Sequence, residues 1–115
     1  MNKKNIFQLP TDLPLANESE LFDLIFQQKR TNNKKLHIER IVSTGQQSPA
    51  DGTWYDQDNH EWVILLEGEA TLMFEEKAEA VTLQKGDYLH IPPHCRHRVI
   101  QTSEKPPCVW LAIHF

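Results

Sequence analysis

The stretch Lys85-Gly86-Asp87-Tyr88-Leu89-His90-Ile91-Pro92-Pro93-His94-Cys95-Arg96-His97 sets the reading of the whole chain. Lys85-Gly86-Asp87 is turn chemistry and Tyr88 to Ile91 is a short run of β-formers. Pro92-Pro93 stops that run, because proline offers no backbone N–H. A further run, His97 to Gln101, follows. The same rhythm repeats on both sides. Leu36 to Val42, Trp62 to Leu66, Ala70 to Phe74, Ala80 to Leu83 and Val109 to Phe115 are rich in β-formers, with Gly45, Ser48-Pro49, Gly68, Glu75-Glu76-Lys77 and Thr102 to Pro107 between them. Many short strands at this spacing predict an all-β, antiparallel sandwich or barrel. Trp62 to Leu66 is apolar on both faces and must be covered on both, which leads us to expect a homodimer.

The first third reads differently. Ile6-Phe7-Gln8-Leu9 is a short extended run closed by Pro10 and Pro14. Asn17 then stands as a cap with Glu20 at capping-box spacing, Leu21, Leu24 and Ile25 share a helical face, and Lys29-Arg30 suit a helix C-terminus. A short N-terminal helix is expected over residues 18 to 29. The organisation expected is one domain over 1–115, with a lead-in over 1–33 and the barrel over 34–115.

Composition narrows the function classes. The chain has 115 residues, 39% of them hydrophobic, and 12 basic against 16 acidic side chains give a net charge of −4. No strong positive field is present to attract phosphate backbones, so nucleic acid is not an expected partner. The longest apolar stretches, Trp62 to Leu66 and Cys108 to Ile113, fall far short of the roughly 20 residues that cross a bilayer. No membrane association is expected. Met1-Asn2-Lys3-Lys4-Asn5 is basic but leads into no apolar segment, so a cytoplasmic location is expected. Cys95 and Cys108 are too few for a disulfide framework and are read as small core residues.

Two constellations carry chemistry. In Trp54-Tyr55-Asp56-Gln57-Asp58-Asn59-His60-Glu61-Trp62, the Asp58-Asn59 pair suits a tight turn between two β runs, which predicts a hairpin. An even connection sets Gln57 opposite His60, Asp56 opposite Glu61 and Tyr55 opposite Trp62, so that two carboxylates project together; an odd one sets Gln57 beside Glu61 instead. Paired carboxylates call for a cation, a shared proton or an arginine. Trp54, Tyr55, Gln57 and His60 are candidate pocket residues around them. The second constellation is the Lys85–His97 stretch itself, in which His97 is the candidate functional imidazole.

The spacing Gly86, five residues, Pro92, then His97 resembles the second motif of the cupins, and Glu61, six residues, Gly68 resembles the end of the first. The resemblance spans roughly residues 36 to 115 and implies a small single-domain cupin: an antiparallel β-barrel of the double-stranded β-helix or jelly-roll type. Cupins commonly hold a metal with a His-x-His pair, the motif-one glutamate and the motif-two histidine. Glu61 and His97 match the last two. Trp54 and Asp56, or Tyr55 and Gln57, stand where the histidine pair would be, so the first metal motif is degenerate. His94 replaces the usual motif-two glycine and Gln101 the usual closing asparagine. The resemblance thus implies a divalent cation on Asp56, Glu61 and His97. Such a donor set suits Mn²⁺, Fe²⁺ or Mg²⁺ better than Zn²⁺.

Two functions follow as expectations. One is a metal-dependent enzyme of dioxygenase or isomerase type acting on a small molecule. The other is a metal-free binding or sensing module for a small metabolite. Without metal, His97 and Glu61 would still form an acid–base pair. His90 is expected on an outer face, His37 and His114 as structural strand residues, and Arg96 and Arg98 pointing away from His97.

Overall fold

The computed structural model describes residues 1–115, apart from the side chain of Asn33. Its strands are β1 (Leu21–Lys29), β2 (Lys35–Ser43), β3 (Glu61–Glu67), β4 (Ala70–Phe74), β5 (Glu79–Leu83), β6 (Tyr88–Ile91), β7 (His97–Thr102) and β8 (Cys108–His114). They form a five-stranded sheet in the order β1-β2-β8-β3-β6 and a three-stranded sheet in the order β5-β4-β7. All pairings are antiparallel. β2 to β8 fall on the runs of β-formers read from the sequence.

Alternation decides what each sheet buries. In β3, Glu61, Val63 and Leu65 are buried while Trp62 and Ile64 are half-exposed. In β8, register places Trp110 opposite Leu65, Ala112 opposite Val63 and His114 opposite Glu61, so these six side chains share one face. The core lies between the sheets, where Val63, Leu65, Ile91, Trp110 and Ala112 meet Ala70, Leu72 and Leu83. The opposite face of the large sheet carries Ile38, Trp62, Ile64, Tyr88, Leu111 and Ile113, by the same alternation. The N-terminal segment crosses one end of that face, held where Arg40 Nη1 donates to the carbonyls of Ile6 and Gln8.

Two expectations are corrected. The predicted helix over residues 18 to 29 is the strand β1, paired with β2 from Leu21↔Val42 to Lys29↔Lys35. The register shifts between Leu24 and Phe26, and such a bulge adds one residue to the period-2 pattern. Apolar residues at 21, 24 and 25 then mimic the i, i+3, i+4 spacing of a helix. Pairing along eight residues of β2, Lys35 to Val42, overrides the local capping signals. Among the described residues the helical structure is the single 3-10 turn Thr31–Asn33. None of their helices is long and apolar enough to cross a membrane.

The predicted hairpin about Asp58-Asn59 does not form either. Tyr55 pairs with His97 of β7 through Tyr55 N to His97 O at 2.7 Å and His97 N to Tyr55 O at 3.2 Å. Glu61 pairs instead with His114 and Ile91. The bend at Asp58-Asn59 therefore carries the chain from one sheet to the other.

Gly68 closes the turn between β3 and β4 at φ +90°, and a Cβ there would stand 2.9 Å from Cys108 Cα and 2.8 Å from Ser103 Oγ. Gly68→Ala is expected to cost about 2 kcal/mol or more, from left-handed backbone strain and overpacking together. A lowered urea midpoint at unchanged slope would show it, and an unchanged midpoint would contradict it.

Candidate functional site

Between the two sheets lies a cavity of about 100 Å³. That is room for a few waters or a small polar molecule, below the several hundred cubic ångströms of a drug-sized site. Its apolar floor is Val63, Leu72, Ile91, Val99 and Trp110, and its polar walls are Glu20, Glu39, Ser48, Tyr55, Gln57, Glu61, His97 and His114. Neither lysine nor arginine lines it.

His97 opens β7 and is 4% exposed; Glu61 opens β3 and is 8% exposed. His97 Nδ1 lies 2.8 Å from the Cys95 carbonyl oxygen. A carbonyl only accepts, so Nδ1 carries the proton, and in the neutral ring Nε2 holds the free lone pair. That Nε2 faces Glu61 Oε1 at 3.7 Å. Gln57 Nε2 donates to the same carboxylate oxygen at 2.9 Å. Burial alone would raise the Glu61 carboxyl; a hydrogen bond from His97 when its ring is protonated, the Gln57 amide, and the positive charges of His114 and His97 in their protonated forms outweigh it and hold the group below its ordinary value. The Tyr55 ring lies 5.5 Å from the His97 ring. Its hydroxyl is hydrogen-bonded to Ser48, and burial, with Glu20, Glu61 and Glu39 nearby, pushes the phenol up.

A second imidazole–carboxylate couple lines the same cavity on the strands next to Glu61. His114 Nε2 meets Glu39 Oε1 at 3.0 Å, and His37 Nε2 meets Glu39 Oε2 at 3.3 Å. Burial would raise Glu39, yet its hydrogen bonds to His114 and His37 prevail and lower it. Burial would lower His114, yet the Glu39 hydrogen bond and the charges of Glu61 and Glu39 prevail and raise it. At the cavity's edge, Trp110 Nε1 donates to Ser43 Oγ at 3.0 Å, and the Ser43 hydroxyl donates to Glu20. Burial raises the Glu20 carboxyl against that bond.

Of the sequence-derived candidates, Glu61, His97, Tyr55 and Gln57 converge on the cavity. Asp56 does not. Its Oδ1 is 2.7 Å from His94 Nδ1 on the exposed side of the loop, because the bridge of Tyr55 to β7 turns alternate residues outward. Trp54 also turns out and lies under the Arg98 guanidinium, 5.0 Å from its ring centre. His60 sits in a groove beside the cavity, its Nδ1 2.8 Å from His90 Nε2. Arg96 pairs with Glu75, and Arg98 donates to the Gly52 carbonyl, both away from His97's side chain. The residues missed were Glu20, Glu39 and His114. The pairing of β8 with both β2 and β3 brings Glu39 and His114 to Glu61, and no local motif encodes it.

The sequence profile of the cupin domain matches residues 41–114. A candidate mannose-6-phosphate isomerase from Ralstonia eutropha JMP134 is 39% identical, with a TM-score of 0.79 over 99% of this chain and 97% of that one. The chain belongs to the cupin family. An RmlC-like cupin from Desulfovibrio desulfuricans (16% identity, TM-score 0.68, 99% and 96% covered) shares the fold. So does an RmlC-like cupin from Methanocaldococcus jannaschii with a double-stranded β-helix fold (14%, 0.64, 96% and 92%). No curated protein matches.

For a cupin, the two positions of the His-x-His pair that face the cavity are Tyr55 and Gln57. Tyr55's hydroxyl is engaged with Ser48, and Gln57 reaches Glu61 through its amide donor. Among the described residues no three His, Cys, Asp or Glu side chains are grouped to hold a metal ion. The implied set of Asp56, Glu61 and His97 is thus corrected: one imidazole and one carboxylate converge, with hydrogen-bond donors in place of further ligands. This donor set does not fit a divalent cation. His94, in the motif's glycine position, has φ +60°, the left-handed backbone that glycine would adopt without strain.

The Glu39–His114 couple makes stability depend on pH. His114, raised above its ordinary 6.5, adds stability that is complete below 6.5 and is lost as pH rises through its folded pKa. Glu39, lowered from 4.5, adds stability that is present above 4.5 and is lost as pH falls through its folded pKa. The melting-temperature advantage of the wild type over Glu39→Gln is therefore expected to be greatest between 4.5 and 6.5 and to shrink on either side. A pH-independent difference would contradict the pairing.

Proposed function

We propose that the cavity performs proton transfer on a small, uncharged hydroxy-carbonyl compound, an isomerase-type reaction run by the Glu61–His97 couple without a metal. One observation carries this reading. The Cys95 carbonyl fixes the proton on His97 Nδ1, so that in the neutral ring Nε2 and Glu61 Oε1 converge as two acceptors 3.7 Å apart in a buried cavity. Facing acceptors repel unless a donor lies between them, and a hydroxyl of the ligand suits that place. An imidazole so oriented is also a suitable base for a carbon-bound proton next to a carbonyl, and the neighbouring carboxylate stabilises the imidazolium that results.

The charge of the walls bears on the substrate. Glu20, Glu39 and Glu61 line the cavity with no lysine or arginine to offset them. A phosphate is disfavoured inside, so the reacting part of the substrate is uncharged. The similarity to the Ralstonia protein supports an isomerase-type reaction, since interconverting an aldose and a ketose is proton transfer α to a carbonyl.

The test follows carbon-bound hydrogen by proton NMR in D₂O, with D-glyceraldehyde, D-mannose and mannose 6-phosphate as probes. The wild type is expected to exchange the α-hydrogen of the uncharged probes, at a rate unchanged by dialysis against a chelator. His97→Gln is expected to lose about 10²-fold or more. Absence of exchange with all three probes, alongside tight binding of one, would replace the enzyme with a binding module. Loss of exchange on chelation would overturn the metal-free reading.

A further inference from the structure

Base chemistry at one carbon needs a partner at the oxygen. When a base takes the α-proton, the electron pair of the broken C–H bond becomes a C=C bond, and the carbonyl oxygen must receive a proton or carry a full negative charge among three carboxylates. Tyr55 is poorly placed for this, since its hydroxyl is engaged with Ser48. His114 lines the same cavity, and its strand register sets it directly opposite Glu61, the residue that His97 faces. Its Nε2 is held by Glu39 at 3.0 Å, which leaves Nδ1 as the nitrogen available to a ligand. Glu39's second oxygen meets His37, whose side chain is 35% exposed. The cavity thus connects through His114, Glu39 and His37 to solvent.

We propose that His114, held by Glu39, is the second proton-transfer residue of this cavity, donating from Nδ1 to the carbonyl oxygen while His97 Nε2 takes the carbon-bound proton. The assignment rests on the proton-transfer reading above. For a 2-hydroxyaldehyde the C2–H bond breaks and its proton passes to His97. The C1 oxygen takes the proton of His114 Nδ1, giving an enediol. In the second half, His97 returns its proton to C1, and the C2 hydroxyl gives its proton to His114 as the C2 carbonyl forms. Both imidazoles end as they began, and no oxidant or reductant enters. The complementary environments suit the roles. The Glu39 carboxylate, 3.0 Å from Nε2, favours the protonated form of His114 that an acid needs, with His37 and Glu61 as the other titratable groups nearest it. The Cys95 carbonyl fixes the tautomer that a base needs at His97.

The experiment measures the pH dependence of conversion of D-glyceraldehyde to dihydroxyacetone by the wild type, His114→Gln and Glu39→Gln. The wild type should give a bell. His114→Gln should lose about 10²-fold in kcat with little change in KM, and its alkaline limb should vanish while the acidic limb remains. Glu39→Gln keeps the imidazole and loses its anionic partner, so its alkaline limb should move to lower pH. This second variant carries the test if His114→Gln melts below the assay temperature. A His114→Gln enzyme at wild-type rate, or a slower one that keeps the whole bell, overturns the role of His114 and leaves the Glu61–His97 reading in place. A Glu39→Gln bell identical to wild type overturns it as well. A wild type inactive on this probe and on D-mannose overturns the reading itself, and the role of His114 falls with it.

Discussion

The position of β8 between β2 and β3 is the constraint on which the site depends. One strand supplies backbone partners to two others that lie far from it in sequence. The register sets His37, His114, Glu61 and Ile91 in one row across four strands. A slip of one residue would turn His114 to the outer face and put Ile113 toward the carboxylates. The interior apolar row below, with Val63, Leu65, Trp110 and Ala112 packed against Leu72 and Leu83, fixes that register because a slip would expose it. Core packing and site geometry are therefore set by the same pairing.

The three-stranded sheet supplies the other half. β7 begins at His97, and the 48–55 segment is laced along it by the bridges Ser48↔Val99 and Tyr55↔His97. These bridges turn Tyr55 and Gln57 inward and Asp56 and Trp54 outward. The consequence is chemical: the cavity receives a phenol and an amide where a metal-binding cupin presents two imidazoles. Glu61 is stabilised as an anion by donors, Gln57 Nε2 among them. In this family a carboxylate and an imidazole usually share a cation. Here, with the His97 ring neutral, the same two residues face each other as a lone-pair nitrogen and a carboxylate oxygen 3.7 Å apart.

Most of the fold is legible in the sequence because each strand from β2 onward is a short run of β-formers ended by glycine, proline or a charged turn. Glu61 and His97 are legible because the Glu–Gly and Gly–Pro–His spacings are local. β1 is not, since its bulge gives Leu21, Leu24 and Ile25 a helical spacing and Asn17 and Glu20 offer a plausible cap. The hairpin reading fails for a related reason: Asp58-Asn59 does make a bend, but tertiary pairing decides which strands it joins. Glu39 and His114 lie 75 residues apart, and nothing near either announces the other. Their couple exists through the order of strands in the sheet, which a single sequence does not state.

The central claim is the tautomer of His97, because the orientation of the Cys95 carbonyl decides which nitrogen meets Glu61. Long-range proton–nitrogen NMR correlation on uniformly ¹⁵N-labelled protein, with the ring assigned by His97→Gln, reads this directly. In the neutral ring the account predicts a protonated Nδ1 and an Nε2 with the shift of a lone-pair nitrogen. A neutral ring protonated at Nε2, donating to Glu61, would contradict it.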